Sequence, residues 1–168
     1  MLGQDNEGTG CMTVSGWYLI FCKYGRMEQA EESLEKIGAT TFCPMMTRKK
    51  NGAGSQHIRA SVEPMFPPYL FVNIDADLIN TARINALPGV SYIVKFGREP
   101  RPLPQSLIEA LMRRAFNNNS LPVSQIKKDH NLMKMEERLQ KIKDGNSYGL
   151  LSFLHEMIMS EIRLNRVE

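Results

Sequence analysis

Long cationic and amide side chains recur in one short stretch. Arg26, Gln29, Ser33 and Lys36 are spaced 3, 4 and 3, with Lys23 just before them. On a helix that spacing lines one face. Such side chains hydrogen-bond base edges and pair with phosphates, which is nucleic-acid chemistry. Glu28, Glu31, Glu32 and Glu35 crowd the same stretch, so spacing alone describes a solvated helix face better than a binding one. Another basic cluster, Arg48, Lys49, Lys50, His57 and Arg59, suits a nucleic-acid backbone and equally a solubilising loop.

The second feature is aromatic. Between Tyr69 and Ile74, strand alternation sends Leu70, Val72 and Ile74 to one side and Tyr69 and Phe71 to the other. Phe21, Phe66, Tyr92, Val94 and Phe96 extend the second side. A bare aromatic face of that size is a binding site or a liability. The alternative is that both faces are simply core.

Catalytic patterns are missing. There is no Gly-rich phosphate loop, nucleophile elbow or His-carboxylate motif, so an enzyme is not expected. Cys11, Cys22 and Cys43 are odd in number and fit no zinc spacing. His57, His130 and His155 are scattered, so no metal and no cofactor are expected. Cys22 lies in an apolar run and reads as a small buried hydrophobe.

The elements that must position these residues follow from periodicity. Residues 1–15 are polar and Gly-rich and read as a disordered leader. Trp17 to Lys23 is a strand. A helix runs from Arg26 to Ile37 on the stripe Met27, Ala30, Leu34 and Ile37, closed by Gly38. A strand is expected over Thr41 to Thr47, then a basic hairpin or loop carrying Asn51-Gly52. Tyr69 to Ile74 is a strand, followed by a short helix capped by Asp75 or Asp77. Leu87-Pro88-Gly89 turns the chain into a strand over Val90 to Phe96. A helix then starts near Pro104 and ends near Phe116. The order β-α-β-β-α-β-α fits an α+β fold, an antiparallel sheet with helices on one face.

Residues 117–125 read as a linker. Beyond it, Leu132, Met135, Leu139 and Ile142 form one apolar stripe, and Leu151, Leu154, Ile158 and Ile162 another, with a break at Asp144 to Gly149. The segment 126–168 is therefore a helical hairpin. It is too small to hold a core of its own, so it needs a surface, and the aromatic face needs a cover. The expected division is a leader 1–15, a domain 16–116, a linker 117–125 and a hairpin 126–168.

The chain has 168 residues, 42% of them hydrophobic, and a net charge of +3, weak grounds for a nucleic-acid partner. No apolar run is long enough to span a membrane and no secretory signal is visible, so the cytoplasm is the expected location.

Four ordered motifs carry a resemblance. They are Trp17 to Gly25 (WYLIFCKYG), Phe42 to Thr47 (FCPMMT), Glu63 to Val72 (EPMFPPYLFV) and Ile84 to Gly97 (INALPGVSYIVKFG). Over about residues 16–115 the chain resembles the NusG family of transcription elongation factors, and within it the RfaH-like antiterminators. The resemblance implies a NusG N-terminal-type domain that binds the clamp helices of the largest RNA polymerase subunit through Phe21, Phe66, Tyr69, Phe71 and Phe96. It implies a gate-loop contact with the second-largest subunit at Asn80, Thr81 and Ala82, of which Thr81 matches the family's His-Thr-Thr. It also implies contact with the non-template DNA strand through Lys23 and Asn85, with Arg26, Gln29, Ser33 and Lys36 beside them. Arg26, Gln29 and Ser33 are changed from the family pattern, so a different DNA element is expected.

The tail lacks the Gly-rich turns of the family's KOW β-barrel and is similar to the helical form that masks the clamp-binding face. Glu63 matches the family's interdomain ion pair, whose Arg partner falls near Tyr148 here. A fold switch or ribosome contact by this tail is left open, and a monomer is expected. A rival from another class is a sequence-specific DNA-binding repressor with the hairpin as a dimerisation module.

Overall fold

A computed structural model describes residues 15–51, 58–75, 77–117, 130–142 and 146–164. The expected leader and linker, apart from Ser15 and Asn117, lie outside these residues. The apolar run after Ser15 forms β1 (Ser15–Cys22). It pairs antiparallel with β5 (Tyr69–Asp75), from Ser15 opposite Asp75 to Phe21 opposite Tyr69. β2 (Thr40–Phe42) and β6 (Val90–Ile93) are the edges of a four-stranded sheet in the order β2-β5-β1-β6.

The expected strand over Thr41 to Thr47 is two strands. Pro44 has no N–H to give a ladder, and the chain leaves the sheet there. It continues as β3 (Met45–Asn51), which pairs with β4 (Ile58–Pro64) in a separate two-stranded ribbon. The basic segment is thus a hairpin. The side chains of Arg48, Lys49, Lys50 and Arg59, and all of His57, lie outside the described residues.

One sheet face is covered by α1 (Met27–Lys36) and α2 (Thr81–Asn85). Ala30, Leu34 and Ile84 from the helices meet Ile20, Cys22, Leu70, Val72 and Ile74 from the strands. Burying each large aliphatic side chain there contributes about 1.5–3 kcal/mol. Cys22 is fully buried in this layer, and burial pushes its thiol up to about 12. It behaves as a hydrophobe, not a nucleophile.

The cap of α2 differs from expectation. The Asp75 carboxylate accepts from the Asp77 N–H (3.0 Å) and so closes a turn. The helix starts later, where the Asn80 side chain accepts from the Arg83 N–H (2.8 Å). The strand expected over Val90 to Phe96 stops at Ile93. Beyond it the chain stays beside β1, with the Val94 N–H donating to Leu19 O (2.8 Å) and the Leu103 N–H to Trp17 O (2.6 Å). That path carries α3 (Gln105–Asn117) onto the second sheet face. Leu107, Ile108 and Leu111 pack there with Trp17, Leu19 and Phe71. The tail forms α4 (His130–Gln140) and α5 (Ser147–Leu164), and α5 begins inside the expected break.

Candidate partner and nucleic-acid surfaces

The second sheet face collects the aromatic residues. Phe66, Tyr69, Phe71 and Phe96 share one contiguous core with Trp17, and Phe21 and Phe42 pack against it. Tyr69, Phe21 and Tyr92 form a ladder across β5, β1 and β6. Phe21 meets Tyr69 edge-on at 5.2 Å and stacks on Tyr92 at 5.0 Å. Phe42 links Phe71 (6.1 Å) to Trp17 (6.3 Å). Cover comes from α3 and from the tail, through Leu139 of α4 and Leu150, Phe153, Leu154, Met157 and Ile158 of α5. Phe66 and Phe71 are fully buried, while Tyr92, at the sheet edge, is 46% exposed. Burial, and then the neighbouring Tyr92, raises the Tyr69 hydroxyl above its ordinary value.

Sequence periodicity placed the α5 stripe on Leu151, Leu154, Ile158 and Ile162. The buried stripe is rotated towards Leu150, Phe153 and Met157. Leu154 and Ile158 are central, Leu151 is half-buried at the margin, and the Ile162 side chain lies outside the described residues. The signal was present, since residues 150, 153, 154, 157 and 158 recur at helical spacing. Charged contacts fasten the tail. Arg113 of α3 pairs with Glu136 of α4 at 3.5 Å. The Arg114 guanidinium donates to the Leu139 carbonyl in the last turn of α4, where a cation is favoured by the helix dipole. Arg138 reaches Glu156 of α5 and lies 5.0 Å over the Phe153 ring. Glu63 accepts from the Ser61 hydroxyl (2.9 Å), and Tyr148 is exposed.

The opposite side of the molecule presents α1. Lys23, Arg26, Gln29 and Lys36 are exposed, and Arg26 donates to the Gln29 side-chain oxygen (3.0 Å). Ser33 departs from the expected solvent-facing row. It is buried, and its hydroxyl is directed at Ala30 O (3.0 Å) and Pro88 O (2.8 Å), tying α1 to the turn before β6. Its role in the structure is positional. Ser33→Ala is expected to lower stability by about 1–2 kcal/mol, because the Pro88 carbonyl loses its donor. Urea unfolding checks this, and an unchanged midpoint would remove the tie. Asn85 is exposed, and its side-chain oxygen accepts from the Ile93 N–H (2.9 Å). A groove of about 300 Å³ runs between α1 and the turn, lined by Gln29, Glu32, Ser33, Lys36, Ile37, Leu87 and Pro88.

Asn80, Thr81 and Ala82 are exposed at the start of α2. Asn80 and Thr81 border a cavity of about 390 Å³ with Tyr18, Lys95 and Arg98 among its other walls. Burial, then Asp77 and Asp75, raises the Tyr18 hydroxyl above its ordinary value. Among the described residues no group of three or more His, Cys, Asp and Glu is placed to hold a metal ion. No helix among them is long and apolar enough to cross a membrane.

The family model described as transcription termination factor NusG matches residues 15–112. The chain belongs to the NusG family. This places it among transcription elongation and termination factors, a non-enzymatic family whose members bind RNA polymerase. The match spans β1 to α3 and stops short of α4 and α5. A solved structure concerned with domain interaction in Thermotoga maritima NusG is also similar. It is 19% identical, with 69% of this chain and 68% of that one covered and a TM-score of 0.42.

Proposed function

We propose that this NusG-family chain is an RfaH-like elongation and antitermination factor. In this reading residues 16–116 are the polymerase-binding domain, and the helices within 126–168 are its mask. Phe21, Phe66, Tyr69, Phe71 and Phe96 form the seat for the clamp helices of the largest polymerase subunit. Asn80, Thr81 and Ala82 reach the gate loop of the second-largest subunit. Bridging clamp and gate favours the closed, elongating geometry by differential binding, and so suppresses pausing and termination. Lys23, Arg26, Gln29, Lys36 and Asn85 contact the non-template strand, with Ser33 holding α1 in place. These side chains sit on the side of the sheet away from the tail, so they are open while the aromatic seat is covered.

The observation that carries the reading is the aromatic sheet face buried in one cluster with α3 and the C-terminal helices. Helices with only one apolar surface to lose make a cover that a second helix pair could replace. The test is recovery of RNA polymerase by the full chain, by Leu154→Asp, which frees the face, and by Leu154→Asp combined with Tyr69→Ala. Removing Tyr69 from the freed face is expected to weaken binding about thirtyfold, the roughly 2 kcal/mol of an aromatic anchor. Equal recovery by the single and double variants would reject the aromatic face as the polymerase seat.

A further inference from the structure

Tyr24 is 99% exposed, so its ring gains nothing from either core layer. Its backbone, by contrast, is held on both sides. The Lys23 N–H donates to Gly89 O (2.8 Å), and the Arg26 N–H donates back to Lys23 O (3.0 Å). The turn therefore presents a bare ring on a fixed base, with a cation before it and another after it. The ring also borders a groove of about 520 Å³ lined by Gly25, Arg26, Glu28, Gln29 and Glu32. Gln29 and Glu32 line the groove beside Pro88 as well. The two grooves thus adjoin along α1 at Gln29 and Glu32. Ten helical residues span about 15 Å, which is room for about four stacked nucleotides.

We propose that Tyr24 is a stacking platform for an unpaired base at one end of a single-strand track along α1. This rests on the strand contact proposed above and adds to it a residue and a selectivity. The charges of the track decide the selectivity. Lys23, Arg26 and Lys36 attract phosphates, while Glu28 and Glu32 repel them and accept hydrogen bonds from base amino groups. A single strand satisfies both by turning its backbone to the cations and its bases to the groove. A duplex carries phosphates on both of its margins and brings one set against the carboxylates. Its base faces are already stacked on one another, so the ring has nothing to cover.

The test uses the full chain and fluorescence anisotropy at low salt. The probes are a short labelled DNA single strand, an RNA strand of the same sequence, and the DNA duplex. Tyr24→Ala is expected to weaken binding of the DNA single strand about tenfold, the effect of losing one stacked base. Tyr24→Phe and Tyr24→Trp restore it, and duplex binding is the same for all four proteins. The track is read as one for the non-template DNA strand, so preference for the RNA strand would overturn it. An unchanged single-strand affinity in Tyr24→Ala, a loss that Phe does not rescue, or no single-strand binding by the unaltered chain would overturn the proposal. Polymerase recovery by the same variants in the Leu154→Asp background reads the aromatic seat separately and is expected not to change.

Discussion

Leu154→Asp is expected to raise the affinity of the full chain for RNA polymerase on the order of a hundredfold, or about 2.7 kcal/mol. Leu154 is fully buried in the same cluster as Tyr69 and Phe71. A carboxylate placed among the apolar side chains of this cluster costs several kcal/mol to keep buried. Releasing the tail returns it to water. In the proposed reading the aromatic face then binds at its intrinsic affinity, without the reduction imposed by a small open fraction. The gain has a ceiling, because once the tail is always off a second charge adds nothing.

A control is needed because the same substitution could unfold the domain. The pairing of β1 with β5 runs through the centre of the sheet, so its amides should stay protected from hydrogen exchange in the variant. Protected amides with unchanged or weaker polymerase binding would show that the tail is not a mask. Deleting residues 120–168 should give the same gain by a second route.

Gly89→Ala is the second large effect, and it acts on stability. Gly89 has φ +82°, where an L side chain costs about 1–2 kcal/mol. A Cβ built there lies 2.4 Å from Ala30 N, 2.7 Å from Arg26 O and 2.9 Å from Ala30 Cα. These are backbone atoms of the first turn of α1, and Ala30 N and Arg26 O are themselves hydrogen-bonded at 3.0 Å. A flexible side chain could swing aside; a helical turn cannot. The methyl group must push α1 off the turn, straining the Ser33 tie to Pro88 and the Lys23 bond to Gly89. A loss of at least about 3 kcal/mol is expected, within the range of severe backbone substitutions.

Gly97→Ala separates the two causes. Gly97 has φ +96°, but a Cβ there meets nothing within 4 Å. It should lose only the torsional part, about 1–2 kcal/mol. Equal urea midpoints for the two variants would mean that the close approach of α1 to the turn contributes nothing.

Strand alternation and helical periodicity reached most of this architecture because they report local geometry. Leu70, Val72 and Ile74 fall on one sheet face and Tyr69 and Phe71 on the other, as alternation requires. The stripe Met27, Ala30, Leu34 and Ile37 lies under α1, and Gly38 ends that helix with paired bonds from its own N–H to Glu35 O (2.9 Å) and from Ala39 to Leu34 O (3.1 Å). Periodicity is silent where an element's fate depends on distant partners. Pro44 divides two strands because one half pairs with β5 and the other with β4. The cap of α2 differs for a local reason: the Asp75 carboxylate closes a turn on the Asp77 N–H, and the helix starts only after Asn80.

The sequence by itself determined the α+β order, the two-sided character of Tyr69 to Ile74, the amphipathic tail and the polar row on α1, since each is a periodicity within one segment. Only the tertiary structure decided that α3 crosses to the aromatic side, that Ser33 turns inward to Pro88, and that Tyr24 stands free beside a groove. Those outcomes depend on which surfaces meet, and contact between segments far apart in the chain leaves no local pattern in either of them.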